Sequence, residues 1–198
     1  MSRWASAAGV ERGAGYAARF AELAATGADV HGEARLCASL VPAGARILDA
    51  GCGTGRVAVR LAELGFDCVG VDLDPSMLTE ARRAAPELPW VLADLASLDL
   101  GREFDLVVAA GNVLPFVAAG TEAAVVARLA AHLRPDGALV CGFGLDARHL
   151  PSAGAPVDLA EFDRWCTAAG LEREHRFSTW DGEPYGGGGY AVTVLRRV

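Results

Sequence analysis

The sequence predicts an α/β fold, an open sheet of about seven mostly parallel strands with helices on both faces, and three observations support it. Short apolar runs alternate with stretches of helical spacing between residues 45 and 143. These runs are continuously apolar, which is typical of strands buried on both faces of a parallel sheet. Two further strand-like segments near the end of the chain are separated only by residues 181–189, too few for a helical crossover. The doubly wound sheet should therefore finish in an antiparallel C-terminal hairpin.

The boundaries of the elements follow from the same patterns. Strands are predicted at 45–50, 67–72, 89–94, 104–110, 138–143, 171–180 and 190–197. Helices are predicted at 15–27, 32–41, 56–64, 75–85, 121–133 and 158–170. Asp74 followed by Pro75 is typical of a helix N-cap with proline at the first helical position. The two helices before the first strand should cover the sheet edge or a ligand.

Composition excludes several classes of protein. With 198 residues, 52% of them hydrophobic, the chain fits a single domain. The net charge is −7 and the 18 positive residues form no stripe, so we expect no nucleic-acid partner. The apolar runs are short, and the first residues lack the apolar core of a signal peptide, which predicts a cytoplasmic protein with no membrane association.

The cysteine and lysine content excludes further kinds of site and of enzyme. The five cysteines have no metal-ligand spacing, and their odd number argues against a closed disulfide framework, so buried thiols and no metal are expected. The chain contains no lysine. Phosphate-loop nucleotide hydrolases, pyridoxal-phosphate enzymes and short-chain dehydrogenases need that amine, and each is excluded in its usual form.

The stretch "ILDAGCGTGR", residues 47–56, carries the strongest functional signal. Gly51, Gly53 and Gly55 follow a predicted strand and precede a predicted helix, which lets the backbone turn sharply and approach a ligand. Asp72 ends the next strand, the position from which a carboxylate reaches ribose hydroxyls. The spacing is G-x-G-x-G, preceded by Asp49, rather than the G-x-G-x-x-G of dinucleotide-binding proteins.

Four segments in register, "ILDAGCGTG", "VGVDLDPSML", "VLADLASL" and "FDLVVAAGNVLPFV", resemble class I S-adenosylmethionine-dependent methyltransferases of the small-molecule type. The resemblance spans about residues 43–145 and includes "LRPDGALV" as the lead-in to the fifth strand. It implies a Rossmann-like fold and S-adenosyl-L-methionine as cofactor, with S-adenosyl-L-homocysteine as product. We expect one methyltransferase domain over 1–198, with cap helices in 1–42, a cofactor-binding core in 43–145 and a C-terminal helix and hairpin in 146–198.

The same resemblance implies roles for individual residues. Gly51, Gly53 and neighbouring backbone would surround the methionine portion, with Asp49 near its amino group. Asp72 would take the ribose hydroxyls, and Asp94 the adenine amino group. Further cofactor contacts are expected from Tyr16, Ala50, Cys52, Gly55, Leu73, Met77, Leu95, Gly111 and Asn112.

Methyl transfer needs an aligned acceptor and no protein nucleophile, since orientation alone supplies much of the rate. Asn112, the only asparagine, ends the fourth strand and is a candidate for the cofactor or substrate, or else a turn residue. His31 is a candidate general base or contact to the cofactor carboxylate, with a capping or surface histidine as the alternative. Candidates for the acceptor site, which could equally be packing residues, are Phe116, His149, Trp180, Tyr185 and Tyr190.

The sequence thus predicts methyl transfer from S-adenosylmethionine to a small-molecule acceptor, largely by proximity and orientation. Two alternatives stay open: a methyltransferase that modifies a macromolecule, and a non-catalytic S-adenosylmethionine-binding regulatory module. A nicotinamide-dependent oxidoreductase is disfavoured by the glycine spacing and the absence of lysine. Both a monomer and a homodimer are compatible with the sequence.

Overall fold

A computed structural model of the chain describes residues 1–6, 12–150 and 154–198. Within these ranges, seven strands form one sheet in the order β3-β2-β1-β4-β5-β7-β6. The strands are β1 Arg46–Ala50, β2 Asp67–Asp72, β3 Trp90–Leu92, β4 Phe104–Ala109, β5 Leu133–Gly144, β6 Leu171–Phe177 and β7 Tyr190–Arg197. Strands β1 to β5 pair in parallel, whereas β7 runs antiparallel to both β5 and β6. The predicted mixed sheet with an antiparallel C-terminal hairpin is confirmed.

Eight α-helices surround the sheet in the described residues. They are α1 Arg3–Ser6, α2 Arg12–Ala25, α3 Gly32–Ser39, α4 Arg56–Glu63, α5 Pro75–Ala84, α6 Val113–Phe116, α7 Glu122–Ala131 and α8 Leu159–Ala168. Helix α5 begins as predicted, because Asp74 accepts a hydrogen bond from the backbone N–H of Ser76 at 2.8 Å and Pro75 follows the cap. The short helices α1 and α6, and a 3₁₀ turn at Leu95–Ser97, were not predicted, since one turn leaves no periodic pattern.

The strand boundaries agree with the prediction to within two residues, except at the start of β5 and the end of β6. β5 begins at Leu133 rather than at residue 138, because Leu133 already pairs with Phe104 before the register shifts to Leu106 and Ala138. β6 ends at Phe177 rather than at residue 180, because the chain turns there and the N–H of Ser178 donates to the carbonyl of Glu183 at 2.7 Å. The start of β5 depends on pairing with a distant strand, which local sequence does not record.

The core lies on both faces of the sheet. Ile47 and Leu48 are fully buried, but as neighbours on one strand they point to opposite faces and pack into separate clusters. One cluster packs against α7 and α8, and the other against α3, α4 and α5. This double burial explains the continuous apolar runs of the strands. All five cysteines are buried and unpaired within these clusters.

The carboxyl ends of β1, β2, β4 and β5 meet at one edge of the sheet, the usual ligand-binding edge of a doubly wound fold. Because β6 is also parallel to these strands, the segment 178–189 leaves the sheet at the same edge. Helix α2 packs against α5 and adds a wall there. No helix among the described residues has the length and apolar character needed to cross a membrane.

Candidate functional site

A cavity of about 590 Å³ opens at this edge, between the strand ends and the N-terminal helices α1 and α2. Its volume lies within the range of about 300–1,000 Å³ typical of small-molecule sites. Fourteen of the residues predicted for the site line it: Tyr16, Asp49, Gly51, Cys52, Gly53, Asp72, Leu73, Met77, Asp94, Leu95, Gly111, Asn112, Phe116 and His149. The structure therefore brings together residues from several different strand ends, turns and helices.

The glycine turn forms the floor of the cavity. The N–H groups of Gly51 and Cys52 both donate to the carbonyl of Val71, at 2.8 and 2.9 Å, which ties the turn to β2. Gly51 has φ +74°, and a Cβ there would lie 2.6 Å from Val113 Cγ2. Gly53 has φ +55°, and the nearest atom to a Cβ there would be in the Tyr16 ring, 4.0 Å away. Gly51 is thus required by packing as well as conformation, whereas Gly53 faces the open cavity.

Asp49 supplies a buried carboxyl group at the end of β1. Its side chain is almost fully buried, and Oδ2 accepts a hydrogen bond from the N–H of Ala58 at 3.1 Å. No cationic side chain forms an ion pair with it in the described ranges. Burial accordingly raises the pKa of Asp49 to about 7. A buried carboxyl without a cationic partner, lining a cavity, fits a ligand that brings its own ammonium group.

Asp72, at the end of β2, is held by two backbone donors. Its Oδ2 accepts from the N–H of Gly53 and its Oδ1 from the N–H of Asp74, both at 2.8 Å. Burial raises the pKa of Asp72, and these two hydrogen bonds act against that increase. Each carboxylate oxygen keeps a further lone pair. The carboxylate is therefore oriented to accept a pair of hydroxyl groups such as a ribose diol.

The adenine end of the cavity is expected at Asp94, which caps the 3₁₀ turn. Its Oδ1 accepts from the N–H of Ala96 at 2.9 Å, while Leu95 is buried beside it. Met77, also buried, lines the cavity from α5 together with Leu73. The site thus runs from a buried carboxyl through a diol acceptor to an apolar slot with a carboxylate, which fits a nucleoside bearing an amino-acid tail.

Arg56, the residue that follows the glycine turn, fastens the N-terminal helices to the core. Its guanidinium makes two hydrogen bonds to the carboxylate of Glu33, at 3.0 and 2.6 Å, and a third to the carbonyl of Val30. It also lies over the ring of Phe20, 4.5 Å from the centroid, and Phe20 packs on Tyr16 at 4.9 Å. Sequence reasoning missed this role, although the Arg at the position where a dinucleotide fold has its third glycine was a visible signal.

Asn112 joins the ends of β4 and β5. Its backbone is left-handed, with φ +70°, and its Oδ1 accepts from the N–H of Gly144 at 2.6 Å. This hydrogen bond identifies which side-chain atom of Asn112 is the oxygen. The Nδ2 amide group is therefore the part of the side chain that can face the cavity as a donor. Asn112 is thus both a turn residue and a cavity residue, so the two interpretations of the sequence are compatible.

Six residues predicted for the site lie outside the cavity, and His31 is the most consequential. The His31 ring borders a separate surface depression of about 440 Å³, and Phe20 and Arg56, which border both spaces, lie between them. The Arg56 to Glu33 hydrogen bonds hold the start of α3 in this position. The structure therefore does not bring His31 to the cavity as a general base.

The other five predicted residues outside the cavity make packing contacts or local hydrogen bonds. Trp180 donates from Nε1 to the hydroxyl of Tyr190 at 3.1 Å and covers Gly142 on β5, while burial raises the pKa of Tyr190 to about 12. Tyr185 donates to the carbonyl of Gly188 within its own loop, at 3.2 Å. Ala50 is core, and Gly55 lies against Trp90, where a Cβ would be 2.5 Å from the ring.

Trp4 completes the cavity wall and was not predicted. Its Nε1 donates to Asp74 Oδ2 at 2.9 Å, and its ring meets Phe116 edge-on at 5.3 Å. Arg3 anchors the same helix, with a hydrogen bond to Glu122 at 3.0 Å. Helix α1 therefore crosses the cavity between α5 and α6. No pattern in the first six residues reports such a distant contact.

Comparison with known proteins gives consistent results. A family model described as "Methyltransferase domain" matches residues 47–137. A crystal structure of a TehB-like SAM-dependent methyltransferase from Corynebacterium glutamicum superposes with a TM-score of 0.84 and 38% identity, covering 94% of this chain and 98% of that one.

Curated relatives are similar over shorter stretches. A dTDP-3-amino-3,6-dideoxy-alpha-D-glucopyranose N,N-dimethyltransferase from Streptomyces fradiae is 36% identical over 119 residues, 58% of this chain and 47% of the relative. A ribosomal protein L11 methyltransferase from Janthinobacterium sp. is 32% identical over 162 residues, 74% of this chain and 50% of the relative. The chain spans about half the length of such curated relatives.

Proposed function

Because this chain belongs to the class I S-adenosylmethionine-dependent methyltransferases, we propose that it transfers a methyl group from S-adenosyl-L-methionine to a small-molecule acceptor. The family resemblance expected from the sequence is confirmed by the similarity to the Corynebacterium protein over nearly its whole length. One observation carries the proposal: a single cavity contains the acidic row Asp49, Asp72 and Asp94 together with a second, mostly apolar end around Phe116.

The acidic row is proposed to bind the methyl donor. Asp49 would pair with the methionine ammonium, Asp72 would accept from the ribose hydroxyls, and Asp94 would accept from the adenine amino group. The Gly53 backbone would lie along the methionine portion. The geometry supports these roles because each carboxylate already has backbone N–H donors that hold it in place.

The other end of the cavity is proposed to bind the acceptor. When bound, the donor supplies a methyl group on a sulfonium that an acceptor lone pair can attack. Asn112 offers an amide donor there, while Val113, Phe116 and Leu150 supply apolar surface that excludes water. Holding the acceptor in line with the methyl group can supply about 7–11 kcal/mol of the barrier.

A small acceptor is favoured over a macromolecular one by the position of the N-terminal helices. Trp4 and Phe116 meet across the cavity, and Arg56 holds Phe20 beside it, so the walls leave room for a compact molecule. The sugar methyltransferase from Streptomyces supports this choice, whereas the L11 methyltransferase keeps the macromolecular alternative open. The net charge of −7 speaks against RNA as the acceptor.

The proposal is tested by binding and by methyl transfer. Calorimetry should give saturable binding of S-adenosylmethionine, weakened at least 10-fold in Asp72→Asn. Asp67→Asn is the matched control, since Asp67 begins the same strand at the opposite edge and pairs with Arg102 at the surface. Labelled methyl groups should then appear in the metabolite fraction of a cell extract, and not in its protein or RNA fractions.

We further infer that the protein acts in the cytoplasm as one domain, without nucleic acid as a partner. Five buried thiols support a reducing compartment, and the single sheet supports one domain over the described residues. Gel filtration with light scattering distinguishes monomer from homodimer.

A further inference from the structure

The segment after β5 places His149 at the rim of the cavity, with the carboxylate of Asp146 beside it. Nδ1 of His149 lies 2.7 Å from Asp146 Oδ1. The same Asp146 oxygen accepts from the backbone N–H groups of Arg148, at 2.9 Å, and His149, at 3.1 Å. These hydrogen bonds, the one from the His149 ring first, lower the pKa of Asp146. Asp146 is therefore held as an oriented carboxylate.

The glycine run 186–189 makes room for this pair. A Cβ on Gly189 would lie 2.0 Å from His149 Nδ1 and 2.6 Å from Asp146 Oδ2. The Gly189 carbonyl accepts from the N–H of Leu145 at 2.7 Å, which fixes the two segments against each other. Any other residue at position 189 would displace the imidazole. The pair is thus built by two segments forty residues apart in the chain, at the start of β7 and the end of β5.

The hydrogen bond selects the tautomer of the His149 ring. With Nδ1–H donating to the carboxylate, Nε2 carries the lone pair and is the ring nitrogen left for a ligand. His149 lines the same cavity as Asn112 and Phe116. Asp146 is the charged group that contacts the ring, and Gly189, which packs on it from the hairpin, brings no charge.

The other three histidines are placed differently. His132 is buried and uses both ring nitrogens, accepting from the N–H of Leu100 at 3.0 Å and contacting the carbonyl of Arg128 at 2.7 Å. His175 stacks on Phe177 on β6, and His31 lies in the separate depression. His149 is therefore the histidine that combines a cavity position with an orienting carboxylate.

We propose that His149, oriented by Asp146, is the general base of the reaction, and that the acceptor is an alcohol, phenol or amine whose reacting atom loses a proton as it gains the methyl group. This inference rests on the proposed methyl transfer. The acceptor's O–H or N–H bond breaks and its proton goes to Nε2 of His149, while its lone pair forms the bond to the methyl carbon. The electrons of the broken sulfur–carbon bond stay on sulfur as the neutral thioether, and Asp146 stabilises the imidazolium.

The first test needs no acceptor. Two-bond ¹H–¹⁵N correlations of the full chain at pH 8, assigned with His149→Gln, should show His149 protonated at Nδ1 and not at Nε2. A ring protonated at Nε2 would overturn the proposal. In Asp146→Ala, which removes the acceptor of this hydrogen bond, the ring should no longer be fixed in the Nδ1-protonated tautomer, and an unchanged tautomer would also count against the pair.

The second test is methyl transfer into the metabolite fraction of a cell extract, with labelled S-adenosylmethionine. His149→Gln should lose about 100-fold or more in rate, the range of general-base catalysis, while its affinity for S-adenosylmethionine stays within 2-fold. His175→Gln is the matched control and should keep both. For Asp146→Asn we expect about a 10-fold loss in rate, with the affinity for S-adenosylmethionine again within 2-fold.

The outcomes separate the two proposals. Wild-type transfer by His149→Gln with normal donor binding would overturn the role of His149 alone. Donor binding without any transfer by the wild-type protein, or no donor binding at all, would overturn the proposed function itself.

Discussion

Asp49→Asn is the most informative perturbation, because it replaces a buried carboxyl by a neutral group of the same shape. The amide oxygen of asparagine can still accept from the N–H of Ala58. The substitution therefore removes the titration of Asp49 and leaves the local hydrogen bond in place.

The size of the expected change in the free energy of unfolding follows from the raised pKa of Asp49. Burial raises the pKa of Asp49 from 3.8 to about 7, so between about pH 4 and pH 7 the folded protein binds one proton more than the unfolded chain. The free energy of unfolding of the unliganded protein should fall as the pH rises through this window, by up to about 4 kcal/mol, and level off above it. The substitution should abolish this contribution, so Asp49→Asn should be the more stable protein at pH 8 and about equal to wild type near pH 4.

Urea denaturation of both proteins between pH 4.5 and 8.5 measures this effect. The difference between the two curves cancels the other titrating groups. A difference that is flat across the window, or a variant less stable than wild type at pH 8, would refute the reasoning from burial.

The affinity for S-adenosylmethionine should rise with pH, whereas the stability of the unliganded protein should fall. If ionised Asp49 pairs with the methionine ammonium, wild-type affinity for S-adenosylmethionine should rise about 10-fold per pH unit up to about pH 7. In Asp49→Asn the affinity should be at least 10-fold weaker at pH 8 and independent of Asp49 ionisation. Calorimetry across the same pH range checks both, and equal affinities at pH 8 would contradict the proposed contact.

Three further predictions concern packing around the cavity. Gly51→Ala should destabilise the protein by about 1–3 kcal/mol, since it combines φ +74° with a 2.6 Å contact to Val113, and should cost more than Gly53→Ala in thermal denaturation. Arg56→Met should leave the carboxylate of Glu33 partly buried without its partner and lower stability by about 1–3 kcal/mol, an effect that Glu33→Gln in the same background should largely relieve in a double-mutant cycle. Trp4→Phe should lose the hydrogen bond to Asp74 but keep the ring, so S-adenosylmethionine should dissociate several-fold faster in stopped-flow measurements, with stability changed by less than about 1.5 kcal/mol. Identical dissociation rates for Trp4→Phe and wild type would show that the hydrogen bond from Trp4 to Asp74 does not help to retain the donor.

The fold could be predicted from the sequence because the sequence patterns that indicate it are local. The alternation of apolar runs and helical stretches, the Asp74–Pro75 helix start and the short 181–189 connection each act within a few residues. The glycine turn is equally local, since its spacing and its position after a strand are written in consecutive residues. These local signals locate the glycine turn and Asp72, and the resemblance to the methyltransferase family supplied most of the remaining predicted residues among the fourteen that line the cavity.

The proposed acceptor end of the cavity was harder to predict, because it depends on side chains that meet across the fold. His31 was expected at the cavity, yet the Arg56 to Glu33 hydrogen bonds hold its helix outside. Trp180 and Tyr190 lie at the same edge of the sheet as the cavity, but the hydrogen bond between them holds both side chains over β5. A helix as short as α1 has no hydrophobic periodicity from which it could be predicted. Its position depends on the hydrogen bond from Trp4 to Asp74.

The sequence by itself determined the sheet, the glycine turn and the acidic row at the strand ends, because backbone propensity and hydrophobic periodicity operate over neighbouring residues. Only the tertiary structure decided which polar groups line the proposed acceptor end of the cavity. His149 meets Asp146 beside a glycine forty positions later, and the absence of a Cβ at Gly189 is what lets the imidazole lie there. Such a contact is set by the packing of two segments against each other, which no window of the sequence contains.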